Sequence, residues 1–252
     1  MLLAIDVGNT QTVLGAFDGE ELAQSWRIKT DARSTHDEMV LTFRGLLADQ
    51  PPLTGISLCS TVPVVLHEMR DMIDVYYSDI PAVIVEPGTK TGVSVLTDNP
   101  KEVGADRIVN TLAVYERYGG PAIVVDFGTS TNLDVVSANG DFLGGALAPG
   151  IQISLDALAA RAAQLRKIEI VRPRSPIGRN TVEALQSGAL YGFAGQVDGL
   201  VRRIVAELGE VEAVVATGGL AGIVVPESET ITDHDPDLTL HGLRLVFDRN
   251  RD

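Results

Sequence analysis

The feature of this sequence that most constrains its fold is a short pattern that occurs twice, 120 positions apart. An apolar segment, residues 2–5, leads into Asp6, a glycine and a hydroxyl residue; residues 122–125 lead into Asp126 and the same kind of turn. In both copies an apolar segment, an Asp-Gly or Asn-Gly pair and another extended segment follow, which is the pattern of a β-hairpin. A repeat of this length predicts two similar lobes related by duplication.

The predicted strands of the two copies correspond to each other. The hairpin turns fall at Asp18-Gly19 and Asn139-Gly140, and both predict a type I′ turn, in which both central residues have a positive φ. Each copy is therefore expected to form a three-stranded meander. The predicted strands cover residues 2–5, 12–17 and 21–28 in the first copy, and 122–125, 132–137 and 141–147 in the second.

Between and after these strands the apolar residues adopt helical spacing. Thr35 and Glu38 have the spacing of a capping box before an amphipathic segment. Gly119-Gly120-Pro121 interrupts any helix, so the predicted lobes cover residues 1–118 and 119–252. The predicted fold class is α/β, with mixed sheets flanked by helices. Further helices are predicted near residues 64–77, 107–118, 151–165 and 180–208, and short strands at 55–58 and 81–85.

Composition excludes several classes of function. Acidic residues outnumber basic ones by 34 to 20, which gives a net charge of −14. Non-specific binding to nucleic acid or to an anionic membrane needs an excess of Lys and Arg, so we expect neither partner. The single cysteine, Cys59, cannot form an internal disulfide and is predicted to be a small core residue. Without a signal peptide or an apolar run of membrane length, the expected location is the cytoplasm.

The duplicated turns have the chemistry of a phosphate-binding loop. Glycine lets backbone N–H groups approach phosphate oxygens, hydroxyl groups add hydrogen bonds, and the Asp carboxylate can hold a cation. Either turn alone is more typical of an ordinary strand end than of a site. The matched pair, Asp6 and Asp126, favours two loops that bind one nucleotide in a cleft between the lobes.

Five motifs occur in the order in which type III pantothenate kinases carry them, and the chain resembles that family from residue 2 to about 250. The family belongs to the superfamily of actin, sugar kinases and the Hsp70 ATPase. The resemblance therefore implies two ribonuclease-H-like lobes related by duplication. The motifs are Asp6-Val7-Gly8-Asn9-Thr10, Gly104-Ala105-Asp106-Arg107, Asp126-Phe127-Gly128-Thr129, Gly144-Gly145-Ala146 with Pro149-Gly150, and Thr217-Gly218-Gly219.

The resemblance also implies an activity, ATP-dependent phosphorylation of the hydroxyl of pantothenate to 4′-phosphopantothenate, the first step of coenzyme A biosynthesis. Asp106 would accept the proton, Asp126 would hold K⁺ or NH₄⁺, and Mg²⁺ would accompany ATP. Pantothenate would contact Gly104, Ala105, Asp106, Arg107 and Thr181. ATP would contact Asp6, Val7, Gly8, Asn9, Thr10, Gln11, Thr12, Val13 and Thr129.

The chemistry of these residues leaves alternatives open. Phosphoryl transfer to an alcohol needs a carboxylate near the hydroxyl, and the charge of Arg107 would keep Asp106 ionised. Arg107 could instead bind the carboxylate of the substrate, or form an ordinary ion pair with Asp106 at a helix start. Thr181 follows the predicted N-cap Asn180, so its hydroxyl could serve the first helical turn as well as an anion. Thr217-Gly218-Gly219 fits either a strand-ending turn or an approach to adenosine.

Glycines form one face of the predicted helix after Asn180. Each costs about 1 kcal/mol relative to alanine, so another backbone is expected to pack there. That backbone could belong to the other lobe or to a second subunit. The resemblance implies a homodimer, and we favour the subunit contact. The glycines are Gly188, Gly192, Gly195 and Gly199.

Two further groups of residues and one departure from the family bear on function. His234 and His241 do not match the spacing of a metal site and are predicted to lie in a surface loop. Thr97 stands where the family usually places a substrate-contacting Tyr. This departure supports one alternative function, a kinase for another small hydroxy acid. The other alternative is a catalytically silent nucleotide-sensing or accessory regulatory protein. A basic segment is predicted to be a solvated loop rather than an anion site; it holds Arg166, Lys167, Arg172, Arg174 and Arg179.

Overall fold

The computed structural model describes residues 1–162 and 168–251, and the chain divides into two compact units. The first unit consists of Met1–Val93, Asp98–Ala113 and the C-terminal residues from Leu238. The second consists of Ser94–Thr97 and Val114–Asp237. The units are therefore discontinuous in sequence and differ from the predicted halves at residues 118 and 119.

The first unit contains a five-stranded mixed sheet in the order β3-β2-β1-β4-β5. Its first three strands are antiparallel, while β4 is parallel to β1 and β5 is parallel to β4. Side chains of β1 alternate between two apolar clusters, so this strand is buried on both faces. The strands are β1 (Leu2–Val7), β2 (Gln11–Asp18), β3 (Glu21–Lys29), β4 (Gly55–Ser60) and β5 (Ala82–Ile84).

Helices cover both faces of this sheet. On one face, α1 (His36–Leu46) and α2 (Pro63–Tyr76) pack over the strands, and the predicted capping box of Thr35 is confirmed. On the other face lie α7 (Leu238–Asn250) and the first turns of α3 (Ala105–Tyr118). The C-terminal residues join the first unit because α7 buries an apolar face against β1 and β4, a long-range contact that local sequence patterns do not reveal.

The second unit repeats this topology. Its five-stranded sheet has the order β10-β9-β6-β7-β8, with β6, β7 and β8 antiparallel, and with β9 parallel to β6 and β10 parallel to β9. The predicted α/β fold with two duplicated mixed sheets is thus confirmed. The elements are β6 (Ala122–Phe127), β7 (Ser130–Val136), β8 (Phe142–Pro149), α4 (Ile151–Arg161), α5 (Thr181–Leu208), β9 (Ala213–Thr217), α6 (Ala221–Val224) and β10 (Asp233–His234).

Local geometry departs from the sequence-based expectation at two points. Both predicted type I′ turns are wrong, because no non-glycine residue of the described chain has a positive φ. In the first hairpin the two central residues are Gly19, with a φ of +59°, and Glu20. In the second, Gly140 has a φ of +84°, but the φ of Asn139 is not positive. Only glycine adopts a positive φ without a steric cost. The helix predicted over 151–165 ends at Arg161, and its last three predicted residues lie outside the described part. None of the helices in the described ranges has the length and apolar character needed to cross a membrane.

Candidate active site

Asp6 lies near the end of β1, beside Cys59 of the parallel strand β4. The Cys59 thiol donates a hydrogen bond to Asp6 Oδ1 at 3.3 Å, and Cys59 is completely buried. The loop that follows is closed by a hydrogen bond from Gly8 N–H to the Gln11 carbonyl at 3.1 Å. A Cβ at position 8 would lie 3.1 Å from that carbonyl oxygen, so a larger residue would crowd the turn.

The rest of this predicted ATP segment divides into exposed and structural residues. Asn9, Thr10 and Gln11 are exposed at the tip of the loop, where a ligand could reach their backbone. Val7 and Thr12 are buried, and the Thr12 hydroxyl is hydrogen-bonded to the Thr30 hydroxyl at 2.9 Å. Thr30 in turn donates to the Gly8 carbonyl at 2.7 Å, which fixes the base of the loop. Val13 is half-buried and packs in the apolar cluster beneath the sheet.

Asp106 occupies the first turn of α3, which begins at Ala105. Glycine at position 104 leaves room for this carboxylate, because a Cβ there would lie 2.5 Å from Asp106 Oδ1 and displace it. Burial raises the pKa of Asp106 above its ordinary value, while the backbone N–H and the guanidinium of Arg107 act in the opposite direction. The Arg107 backbone N–H also donates to the Gly104 carbonyl at 3.2 Å. The Gly104-to-Arg107 motif thus builds a half-buried carboxylate at a helix start.

The structure brings Asp6 and Asp106 into one electrostatic environment, although 100 positions separate them. Burial and the negative charge of Asp106 raise the pKa of Asp6 to about 7, against the thiol hydrogen bond of Cys59 and the charge of Arg27. Cys59 is confirmed as a core residue, but its contact with Asp6 was missed. Only the pairing of β4 with β1 brings Cys59 beside Asp6, so no local pattern in the sequence revealed this contact.

Asp126 occupies the equivalent position in the second unit. It lies near the end of β6 beside Thr217 of the parallel strand β9, as Asp6 lies beside Cys59. Its loop is closed by a hydrogen bond from Gly128 N–H to the Ser130 carbonyl at 3.0 Å, two residues on, whereas the hydrogen bond of Gly8 reaches the residue three positions on. The strand and the aspartate at its end are therefore duplicated in both units, but the turn in the second unit is one residue shorter.

Two glycine motifs pack directly against the loop after Asp126. Gly218 has a φ of +92°, and a Cβ there would collide with Asp126 Oδ1. Gly150 donates its N–H to the Thr129 carbonyl at 3.1 Å, and a Cβ there would collide with the same oxygen. The Thr129 side chain is exposed. Both motifs, Pro149-Gly150 and Thr217-Gly218-Gly219, thus contain a glycine whose missing side chain allows close packing against the loop after Asp126.

Asp126 and a polar residue opposite it on the next strand carry oxygen atoms of the kind that a monovalent cation takes as ligands. Asn132 is its cross-strand partner on β7 and is only 7% exposed. The Oδ1 atom of Asn132 has no hydrogen-bond partner among the described residues. A half-buried carboxylate and a neighbouring amide oxygen are hard ligands of the kind that K⁺ takes. Sequence reasoning missed Asn132 because only the strand register pairs it with Asp126.

The remaining predicted site residues lie in the second unit. Asn180 caps α5 by accepting a hydrogen bond from Glu183 N–H at 2.9 Å, and Thr181 is the exposed first residue of that helix. Thr97 is half-buried and lies against Gly144. Asp6 and Asp106, by contrast, belong to the first unit.

Two arginines of the basic segment and both histidines have structural contacts. Arg172 pairs with Glu227 at 3.1 Å and Arg174 pairs with Glu183, whereas Arg166 and Lys167 lie outside the described residues. The surface loop predicted for the histidines is wrong. His234 lies in β10, which pairs with β9, and His241 lies in α7 with its ring 5.4 Å from that of Phe17.

The exposed face of α5 carries the glycines that the sequence singled out. A Cβ built at Gly188, Gly192 or Gly195 would meet nothing within 4 Å, and one at Gly199 would approach only the Arg203 side chain. The described residues of this chain therefore do not cover the face.

Comparison with known proteins identifies the family. The family model described as type III pantothenate kinase matches residues 2–203. A protein of Frankia alni named type III pantothenate kinase is 68% identical, covering 99% of this chain and 100% of its own. The protein of the same name from Salinispora arenicola is 66% identical with the same coverage, and that of Streptomyces coelicolor is 59% identical, covering 99% and 98%.

Solved structures show the same fold at low sequence identity. A Campylobacter jejuni protein described as a putative Baf family transcriptional activator has a TM-score of 0.61 at 17% identity, covering 98% of both chains. A ROK family glucokinase from Streptomyces griseus, solved with glucose and AMPPNP, has a TM-score of 0.55 at 10% identity, covering 99% of both. With a family model that matches most of its length and relatives 59–68% identical over nearly all of it, the chain belongs to the type III pantothenate kinase family.

Proposed function

We propose that this chain transfers the γ-phosphoryl group of ATP to the hydroxyl of pantothenate, with Asp106 as the proton acceptor. Family membership supports the substrates, and one structural observation supports the base. Asp106 is a half-buried carboxylate that shares its surroundings with Asp6 of the phosphate-loop motif. A carboxylate beside a phosphate loop is what phosphoryl transfer to an alcohol requires.

The raised pKa of Asp106 suits this role. A general base is most effective when its pKa lies near the working pH, and burial moves that of Asp106 in this direction. Arg107 opposes the shift, so the carboxylate keeps an ionised form that can take the hydroxyl proton. We assign Gly104 and Ala105 to the backbone that contacts pantothenate, and Arg107 either to Asp106 or to the substrate carboxylate.

ATP is bound, in this proposal, by the loop from Asp6 to Val13 and by Thr129. Exposed backbone at Asn9 and Thr10 supplies N–H groups for phosphate oxygens, as glycine-containing turns do in other phosphate sites. Mg²⁺ accompanies ATP as part of the substrate. Asp126 and Asn132 would hold a monovalent cation, which supplies positive charge near the phosphates when it is bound.

We also propose that the enzyme works in the cytoplasm as a homodimer joined in part through α5. Close approach of a second backbone would compensate the helix-weakening effect of the four glycines. Exposed apolar side chains occur in the same unit, including Ile177, which is 80% exposed, and Val182, which is 49% exposed. We assign Thr181, at the start of the same helix, to pantothenate binding.

A coupled assay of ADP release with K⁺ present tests the activity. The expected result is turnover that depends on pantothenate and saturates with it. Turnover with another hydroxy acid but not with pantothenate would favour the rival kinase that Thr97 suggests. Calorimetric binding of a non-hydrolysable ATP analogue without any turnover would favour the nucleotide-sensing regulatory protein.

A further inference from the structure

A second group of ligating side chains lies where α1 meets α2 in the first unit. His36 begins α1, and Glu68 and Asp71 lie three residues apart on α2, a spacing that places both carboxylates on one face. One ligand atom from each of the three side chains lies within 4.8 Å of the other two. The side chains are 32%, 26% and 41% exposed, so solvent can reach the group. The proposed phosphoryl transfer uses none of them.

The geometry of this group resembles part of a tetrahedral coordination sphere. His36 Nδ1 lies 3.2 Å from Glu68 Oε2. Two ligands bound tetrahedrally to one Zn²⁺ at about 2.0–2.1 Å are roughly 3.3 Å apart, so the imidazole and the carboxylate already have this separation. Asp71 is near enough to complete a third ligand position by a change of side-chain rotamer.

The surrounding structure holds His36 and Glu68 in place. The His36 backbone N–H donates to Glu68 Oε2 at 2.8 Å, which orients the carboxylate toward the imidazole. Beneath the group, Met39 and Val40 of α1 pack in the same apolar cluster as Met69 of α2. Ligands on two packed helices lose little conformational freedom when an ion binds.

The charge of the group favours a cation. Within the described ranges, Glu68 and Asp71 form ion pairs with His36 and His67, whose charge depends on protonation, rather than with Lys or Arg. Asp37 adds a further carboxylate, 3.6 Å from His36 Nε2.

We propose that His36, Glu68 and Asp71 form a binding site for a divalent transition metal ion of the Zn²⁺ type, with water completing the coordination. One imidazole with two carboxylates favours such an ion over Mg²⁺ or Ca²⁺, which prefer oxygen ligands alone. The ion would join the first turn of α1 to the middle of α2. Its effect would be on the stability of the first unit rather than on phosphoryl transfer.

Calorimetric titration of Zn²⁺ into the metal-free full-length chain, prepared without a polyhistidine tag, tests this site. We expect one equivalent to bind, and each of His36→Ala, Glu68→Gln and Asp71→Asn to lower the affinity by about tenfold or more. His234→Ala, which removes an exposed histidine of β10, is the matched control and should bind as the wild type does. Two results would overturn the proposal. One is an unchanged Zn²⁺ affinity in all three ligand variants, which would mean that the ion binds elsewhere, for example at Cys59. The other is displacement of Zn²⁺ by an equal concentration of Mg²⁺.

A measurement on the wild type keeps the test independent of how the variants fold. The chain has four histidines, whose imidazole resonances can be followed during a Zn²⁺ titration. The proposal requires the His36 signals to change most, with smaller changes at neighbouring His67 and none at His234 or His241. Saturating Zn²⁺ that leaves the His36 signals unmoved contradicts the site. Zn²⁺ should also raise the thermal midpoint of the wild type and of His234→Ala, since binding to the native state stabilises it.

Discussion

The Cys59 thiol donates a hydrogen bond to Asp6 Oδ1 from the adjacent parallel strand, across 3.3 Å. Burial and the charges of Asp6 and Asp106 raise the pKa of Cys59 well above its ordinary value, so it remains a thiol and a hydrogen-bond donor. The hydrogen bond lowers the pKa of Asp6, against burial and Asp106, which raise it. Cys59 therefore favours the ionised form of Asp6, a carboxylate of the proposed ATP loop with a pKa of about 7.

Removal of the thiol should make the activity more sensitive to acid. In Cys59→Ala the pKa of Asp6 should rise further, so less of Asp6 is ionised at pH 6.5. We expect kcat/KM for ATP to fall by about threefold at this pH. The effect is small because a thiol is a weak hydrogen-bond donor. Cys59→Ser keeps a donor and is the matched control. Full pH profiles of kcat/KM measure the effect, and identical profiles for the two variants would contradict it.

Asp106→Asn should abolish most of the turnover while leaving nucleotide binding intact. Loss of a general base lowers kcat by roughly 10²- to 10⁴-fold, whereas the loop at Asp6 is unchanged in structure. The variant also removes the charge that raises the pKa of Asp6, so this pKa should fall below about 7. Asp98→Asn, at an exposed position of the same unit, is the control. Near-normal turnover in Asp106→Asn would show that the base lies elsewhere.

The raised pKa of Asp6 also predicts how stability depends on pH. Asp6 has a pKa of about 7 in the folded chain and an ordinary value of 3.8, so between these values the folded state binds more protons than the unfolded state. Its contribution to stability is therefore largest at low pH and is lost as the pH rises through 7. Asp6→Asn lacks this titration. In urea unfolding, the free energy of unfolding of the variant should rise relative to that of the wild type between pH 5 and pH 8. An equal difference between the two proteins at both pH values would contradict the raised pKa of Asp6.

Much of this architecture could be predicted from sequence because it depends on local patterns. The Asp-led turns, the hairpins and the capping box of Thr35 each follow from a few adjacent residues. The position of α7, the contact of Cys59 with Asp6, and the pairing of Asn132 with Asp126 depend on which strands become neighbours. Such long-range choices are set by the packing of the whole unit, and no local pattern in the chain encodes them.

Asp198 should be among the most important polar residues for the stability of the second unit. It is only 5% exposed, and it accepts hydrogen bonds from Ser228, Glu229 and Thr230, which attach the loop after α6 to α5. Burial raises its pKa, but these donors together lower it below the ordinary value. We expect Asp198→Ala to lower the free energy of unfolding by about 2–3 kcal/mol, because several buried donors lose their acceptor.

Chemical denaturation at pH 7 measures this loss. Glu207→Ala, on the exposed side of the same helix, should change stability by less than about 0.5 kcal/mol and serves as the control. Because the pKa of Asp198 is lowered on folding, its contribution is present at neutral pH and is lost as the pH falls through the folded pKa. The two variants should therefore differ less in acid than at pH 7.

The exposed glycine face of α5 predicts a variant that separates subunit association from folding. A Cβ at Gly192 meets nothing within 4 Å, and glycine is a weaker helix former than glutamate, so Gly192→Glu should leave the folded chain at least as stable. A charged side chain there would prevent close approach of a second backbone. Sedimentation should show a dimer for the wild type and for Ala138→Glu, an exposed control in the second unit, and a monomer for Gly192→Glu. A Gly192→Glu dimer of unchanged affinity would place the subunit contact on another face.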